Sequence, residues 1–213
     1  MIENIKENLE LKLPGILSWN RMAVKPINDN NINNEKIIRY EELLSENKLS
    51  EMKQAAVLIC FFKKNGEYHL PLIRRPMHEK NHPGQIALPG GAMEENETLE
   101  NTALREAFEE VGIIPESVEI IGKMTPLPVP VSKYLISPFI GIAKHEPKWN
   151  INKQEVDELI ILKFKDLIDS NNGYYEDWDL NGNTLRVPIF KVMNKEIWGA
   201  TAAVLSELLD LNS

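Results

Sequence analysis

Strand-like apolar runs mixed with two main helices, without regular strand–helix alternation, predict an α+β protein that carries an N-terminal helical arm. Three observations lead there. The polar, patchy character of residues 1–50 gives way to apolar runs from Ala55 onward. Asn-Gly turn signals at Asn65-Gly66 and Asn181-Gly182 each separate strand-like runs. Residues 98–111 and 198–211 stand out as helices.

In chain order, the Asn-rich stretch 28–34 reads as a surface loop, followed by a helical segment over 36–49. This arm, residues 1–50, is expected to pack on the domain formed by residues 51–213 or against a second copy of the chain. Both arrangements stay open, and a homodimer is one of them. Residues 55–62 and 68–74 form a hairpin across Lys63-Lys64-Asn65-Gly66-Glu67. Residues 118–124, 135–143 and 159–164 read as further strands, and 179–189 as a second hairpin. Pro126, Pro128 and Pro130 make a stiff loop expected at the mouth of a site.

At 213 residues the chain suits one domain with a sizeable core. A formal charge of −8 argues against nucleic acid as a partner, since phosphate-backbone binding needs a net basic face. The single cysteine, Cys60, excludes an internal disulfide and fits a reducing compartment. Its place in the apolar run 55–62 predicts a buried structural thiol. Nowhere do 18 apolar residues run together, and Met-Ile-Glu-Asn-Ile-Lys lacks a signal-peptide core. No membrane partner is expected, and the expected location is the cytoplasm.

The segment that carries chemistry begins at Gly91. On a helix at about 100° per residue, Arg105, Glu106, Glu109 and Glu110 fall within one arc, with Ala103, Leu104, Ala107, Phe108 and Val111 on the other side. Ala107 sits at the border of the two faces. Three carboxylates on one face repel one another. A hard divalent cation removes that cost, because Mg²⁺ prefers carboxylate and water oxygens and also binds substrate phosphates. Arg105 is placed to reach back to Glu97 and fix the preceding loop. Gly90 and Gly91 let the backbone approach a ligand, the Gly91 carbonyl offers a further metal ligand, and Gly112 ends the helix.

The whole spacing resembles the Nudix box, G-x5-E-x7-R-E-U-x-E-E-x-G-U, at Gly91, Glu97, Arg105, Glu106, Glu109, Glu110, Gly112 and Ile113. Ala107 departs from it, standing where a bulky aliphatic residue is usual. The resemblance implies a mixed sheet sandwiched between helices, metal ligation by Glu106, Glu109 and Glu110, and pairing of Glu97 with Arg105. It also implies attack of water on one phosphorus of a diphosphate, with Mg²⁺ or Mn²⁺ as the cofactor and a small diphosphate as the partner.

Upstream, Arg74, Gly84, Gln85, Pro89, Gly90 and Gly91 resemble the signature of the coenzyme A diphosphatase group, with Lys80 in place of an arginine and Leu88 in place of an aromatic residue. That likeness implies cleavage of coenzyme A to 4′-phosphopantetheine and 3′,5′-ADP. Arg74, Lys80, His82, Gly84, Gln85 and Gly90 are the candidate substrate contacts. The general base is Glu106 or Glu109 of the box, or Glu155 or Glu158 outside it. Readings kept beside this one are hydrolysis of ADP-ribose or a nucleoside triphosphate, and a non-catalytic nucleotide-binding module.

Overall fold

Residues 55–62 are buried on both sides but for Val57, which is half-buried, and that double burial organises the molecule. The computed structural model describes residues 1–27, 49–79, 82–169, 174–180 and 183–213. The arm contributes α1 (Ile2–Leu9), α2 (Ile16–Trp19) and β1 (Lys25–Pro26). There follow β2 (Lys53–Lys64), β3 (Glu67–Arg74), β4 (Ile86–Ala87), β5 (Gly90–Ala92), α3 (Leu99–Val111), β6 (Val118–Lys123), β7 (Leu127–Val129), β8 (Tyr134–Ala143) and β9 (Glu158–Lys163). The chain closes with α4 (Phe164–Asp169), β10 (Tyr174–Leu180), β11 (Asn183–Val192), β12 (Lys195–Ile197) and α5 (Gly199–Leu211).

The larger sheet runs β4-β3-β2-β8-β6, with β5 on β2, β7 on β8 and β9 on β3. It is mixed: β2 lies parallel to β8 over residues 53–61 and antiparallel to β3 and β5. Successive side chains of β2 enter different cores. Ile59 and Phe61 join the cluster built with the arm and α5, while Ala56, Leu58, Cys60 and Phe62 join the cluster under α3. A strand covered on both faces reads as an unbroken apolar run, and 55–62 does. Cys60 is fully buried, which pushes its thiol up to about 12. The smaller sheet runs β1-β11-β10, with β12 on β11.

The arm docks through α5. Ile2, Ile5 and Trp19 are buried in the α5 cluster. The fully buried Glu207 carboxylate accepts hydrogen bonds from Trp19 Nε1 at 3.1 Å, Thr125 Oγ1 at 2.5 Å, and the backbone N–H groups of Gly15 and Thr125 at 3.3 Å each. Burial raises its pKa, and those donors act against the rise.

Some expectations change and others fall outside the described residues. α1 and α2 lie in the stretch that reads only as polar and patchy, and the expected helix over 36–49 falls outside the described residues apart from Leu49, which is helical. The Asn181-Gly182 turn also lies outside them, between the paired strands β10 and β11. Residues 127–129 are a strand on β8 with Leu127 buried, so the proline stretch is not a free loop. Phe108 is 51% exposed instead of sharing the core face, while Ala107 is fully buried. The face turned to β2 is lined by Ala103, Ala107 and Val111, whose small side chains let α3 lie close to the sheet.

Glu207→Ala is expected to strand four donors and lower unfolding stability by about 2 kcal/mol or more. Glu207→Gln, which keeps an acceptor, should lose less. Denaturant midpoints and protease sensitivity of the arm check this, and an unchanged midpoint for the alanine variant would overturn the arm-anchoring role of Glu207.

Candidate active site

Local chemistry fixes both ends of α3. Thr98 caps the N-terminus, its Oγ1 accepting from Asn101 N at 3.2 Å. Gly112 ends the helix in the left-handed conformation, φ 80°, and a Cβ there would stand 2.8 Å from the Asn150 backbone. The following loop supplies donors that the last helical turn lacks: Asn152 N–H to the Glu110 carbonyl at 3.0 Å and Asn150 N–H to the Val111 carbonyl at 3.1 Å. These bonds carry Glu155, three residues on, over the face of the helix.

Arg105 is the hub of the loop–helix junction. Its Nε donates to Glu97 at 2.9 Å, its Nη1 to Glu106 and Glu109 at 2.9 Å each, and its Nη2 to the Ala92 carbonyl at 3.2 Å. Thr102 Oγ1 adds a bond to Glu97 at 2.7 Å. The guanidinium and the hydroxyl hold the Glu97 carboxyl down to about 2.

Glu110 turns inward. It is only 4% exposed, and Gly90 N–H donates to it at 3.0 Å. Gly90 is needed because a Cβ would strike the Ala56 carbonyl and Val57 of β2. The Glu106 carboxylate lies over Gly91, where a Cβ would stand 2.5 Å from its carboxyl carbon. Carboxylate oxygens of Glu106, Glu110 and Glu155 come within 4.8 Å of one another. Burial, the largest cause, pushes Glu110 up to about 8 and also raises Glu106. Glu109 stands apart from this group, 47% exposed along its side chain and held by Arg105. The three converging oxygens, all hard donors, fit a divalent cation.

On the substrate side, β3 ends at Arg74, whose side chain turns to Glu158 and the Gly84 carbonyl. Arg75 lies one residue past the strand, so simple alternation does not assign its face. Its charge reaches Glu110 and favours the ionised form, its Nη2 pairs with Glu79, and its Nε is buried without a hydrogen-bond partner among the described residues. Backbone bonds between Arg75 and both Gln85 and Gly84 close the loop at its base. His82, at φ 57°, accepts from Gln85 N–H through its carbonyl, and Lys80 lies outside the described residues. Thr102, Asn150 and Asn152 carry no signal in the sequence, because their roles depend on which carboxyl or carbonyl the fold brings near.

In metal-free buffer Glu110→Gln is expected to be more stable than the wild type at pH 8. The wild-type carboxyl, raised to about 8, contributes fully below about 4.5 and loses that contribution as pH rises to 8. The gap should therefore open between pH 4.5 and 8 to an order of a few kcal/mol. Thermal unfolding in chelator across that range checks it; parallel curves would remove the buried-charge argument.

Residues 52–179 match the NUDIX domain family. The "Uncharacterized Nudix hydrolase NudL" of Enterobacter sp. (strain 638) is 34% identical over 157 residues, covering 73% of this chain and 81% of its own length. The protein of the same name from Salmonella dublin is 33% identical over 162 residues, covering 76% and 83%. Among solved structures, the MutT protein from Methanosarcina mazei Go1 aligns with a TM-score of 0.49 at 16% identity, over 75% of this chain and 94% of that one. Because the matched span includes Arg105 and all three converging carboxylates and exceeds half of the sequence, the chain belongs to the Nudix family and is a Nudix hydrolase.

Proposed function

We propose that the protein hydrolyses the diphosphate linkage of coenzyme A or a derivative, releasing 4′-phosphopantetheine and 3′,5′-ADP, with Mg²⁺ or Mn²⁺ held by Glu106 and Glu110 and with Glu155 as the base beside them. The observation that carries the chemistry is the convergence of Glu106, Glu110 and Glu155 beside the Gly90-Gly91 backbone. The coenzyme A assignment rests on the resemblance of residues 74–91 to the signature of that group. The lone buried thiol and the absence, among the described residues, of a helix long and apolar enough to cross a membrane are consistent with a cytoplasmic enzyme.

The chain's own groups divide the work. Glu106 and Glu110 would hold the divalent ion, which would supply neutralisation of the diphosphate and a more acidic attacking water. Glu155, the exposed member of the three, accepts the proton of the attacking water. The water oxygen bonds to one phosphorus, the bridging P–O bond breaks, and the bridging oxygen leaves with the other phosphate. Arg75 exchanges Glu79 for the diphosphate oxygens, which gives its buried Nε an acceptor. Arg105 holds Glu97, Glu106 and Glu109 and so keeps the glycine loop against the helix.

With Mg²⁺ or Mn²⁺, coenzyme A is expected to turn over faster than ADP-ribose, dinucleoside polyphosphates or nucleoside triphosphates, with both products resolved by chromatography. Preference for another compound would replace the substrate and keep the chemistry. Glu155→Gln is expected to lower kcat by about 100-fold or more with little change in KM. Wild-type turnover in that variant would return the base to Glu106 or Glu109.

A further inference from the structure

We propose that Arg74 and Lys195, held side by side by Glu158, form a second anion subsite at the edge of the active site, which takes a phosphate monoester on the substrate's nucleoside. The identity of that group as the 3′-phosphate rests on the coenzyme A reading; the subsite itself rests on geometry.

Glu158 opens β9 directly opposite Arg74, and Arg74 in turn lies opposite Ile86 of β4. Lys195 comes from the other sheet. Its Nζ reaches Glu158 Oε1 at 2.8 Å and Oε2 at 2.9 Å, while Arg74 Nε donates to Oε2 at 3.1 Å. Arg74 Nη1 is engaged by the Gly84 carbonyl at 3.3 Å. One carboxylate therefore aligns two cations, leaving the cluster with a net positive charge. It is open to a ligand, with the Arg74 side chain 32% and the Lys195 side chain 19% exposed. Among the described residues, these contacts leave the Arg74 Nη2 edge and a third ammonium proton for an incoming anion.

The cluster is tied to the catalytic carboxylates at two places. Glu155 and Glu158 are three residues apart, so their Cα atoms are separated by about 10 Å at most. β4 leads through Leu88 and Pro89 to Gly90, whose N–H binds Glu110. A nucleoside whose 5′ oxygen carries the scissile diphosphate can place a phosphate on its ribose within that reach. Arg74 thereby keeps a substrate contact while Arg75 serves the diphosphate.

A clamp that only joined the two sheets would alter all nucleotides alike, so discrimination between nucleotides is the readout. Calorimetric titration of the full chain with Mg²⁺ is expected to show 3′,5′-ADP binding about tenfold or more tighter than 5′-AMP. Lys195→Met, which keeps the aliphatic stem, should lose most of that margin, and Lys195→Arg should recover it. In parallel, Lys195→Met should raise KM for coenzyme A about tenfold more than KM for 3′-dephospho-coenzyme A. No margin in the wild type, or a margin that survives Lys195→Met, would overturn the subsite. A margin lost in Lys195→Met and recovered in Lys195→Arg, without coenzyme A cleavage by the wild type, would uphold the subsite and overturn the coenzyme A reading instead.

Discussion

Glu97, Glu106, Glu109 and Glu110 crowd together on α3 and its leading loop, and the Arg105 guanidinium lets three of them remain there together. Its donors reach Glu97, Glu106 and Glu109, while Gly90 N–H meets the fourth, Glu110. An arginine suits this role because its planar fork makes several charge-assisted bonds at once. The Arg105–Glu97 pair also sets the path of the loop, since Glu97 in turn binds Thr102 and the Glu94 N–H. That pair adds to the β2 pairing and the Gly90 bond to Glu110 in keeping the glycines of β5 seated between β2 and the Glu106 carboxylate.

The price of the site is charge burial. Glu110 sits almost out of water, where its ionised form is disfavoured, so the fold carries a penalty that Gly90 N–H and Arg75 offset in part and that a cation or a proton relieves. It tolerates this because α3 rests on β2, whose inward residues on that face, Ala56, Leu58, Cys60 and Phe62, are fully buried. A stiff platform keeps the carboxylates converged even when they repel one another.

The long strands and the helix ends were legible in the sequence for a physical reason. Residues 55–62 are apolar throughout because both faces are covered, and Thr98 and Gly112 carry the chemistry of helix caps. The short strands β1, β4, β5, β7 and β12 were not legible, because two or three residues leave no periodicity to read. Phe108 misled for a related reason: a helical wheel gives angles but not how wide a stripe the sheet covers, and small Ala103 and Ala107 make that stripe narrow. In the site, the arginine motif and the glycines could be read from spacing. The partner of each side chain could not. Whether Arg74 or Arg75 faces Glu110 depends on where β3 ends, and the pairing of Lys195 with Glu158 depends on how two sheets meet.

With the proposed subsite, that meeting of sheets separates chemistry from selectivity. The converging carboxylates, Arg105 and the glycines all belong to the larger sheet, α3 and the loop between β8 and β9, and these define the reaction. Lys195 belongs to the smaller sheet, which also includes β1 of the arm, and the arm is fastened to α5 through Glu207. A substrate lying across the boundary would therefore touch the reacting groups on one side and a surface of the smaller sheet on the other. With the reacting groups fixed by charge pairing on α3, changes in the smaller sheet can alter which nucleotide fits without disturbing the carboxylates that cut it.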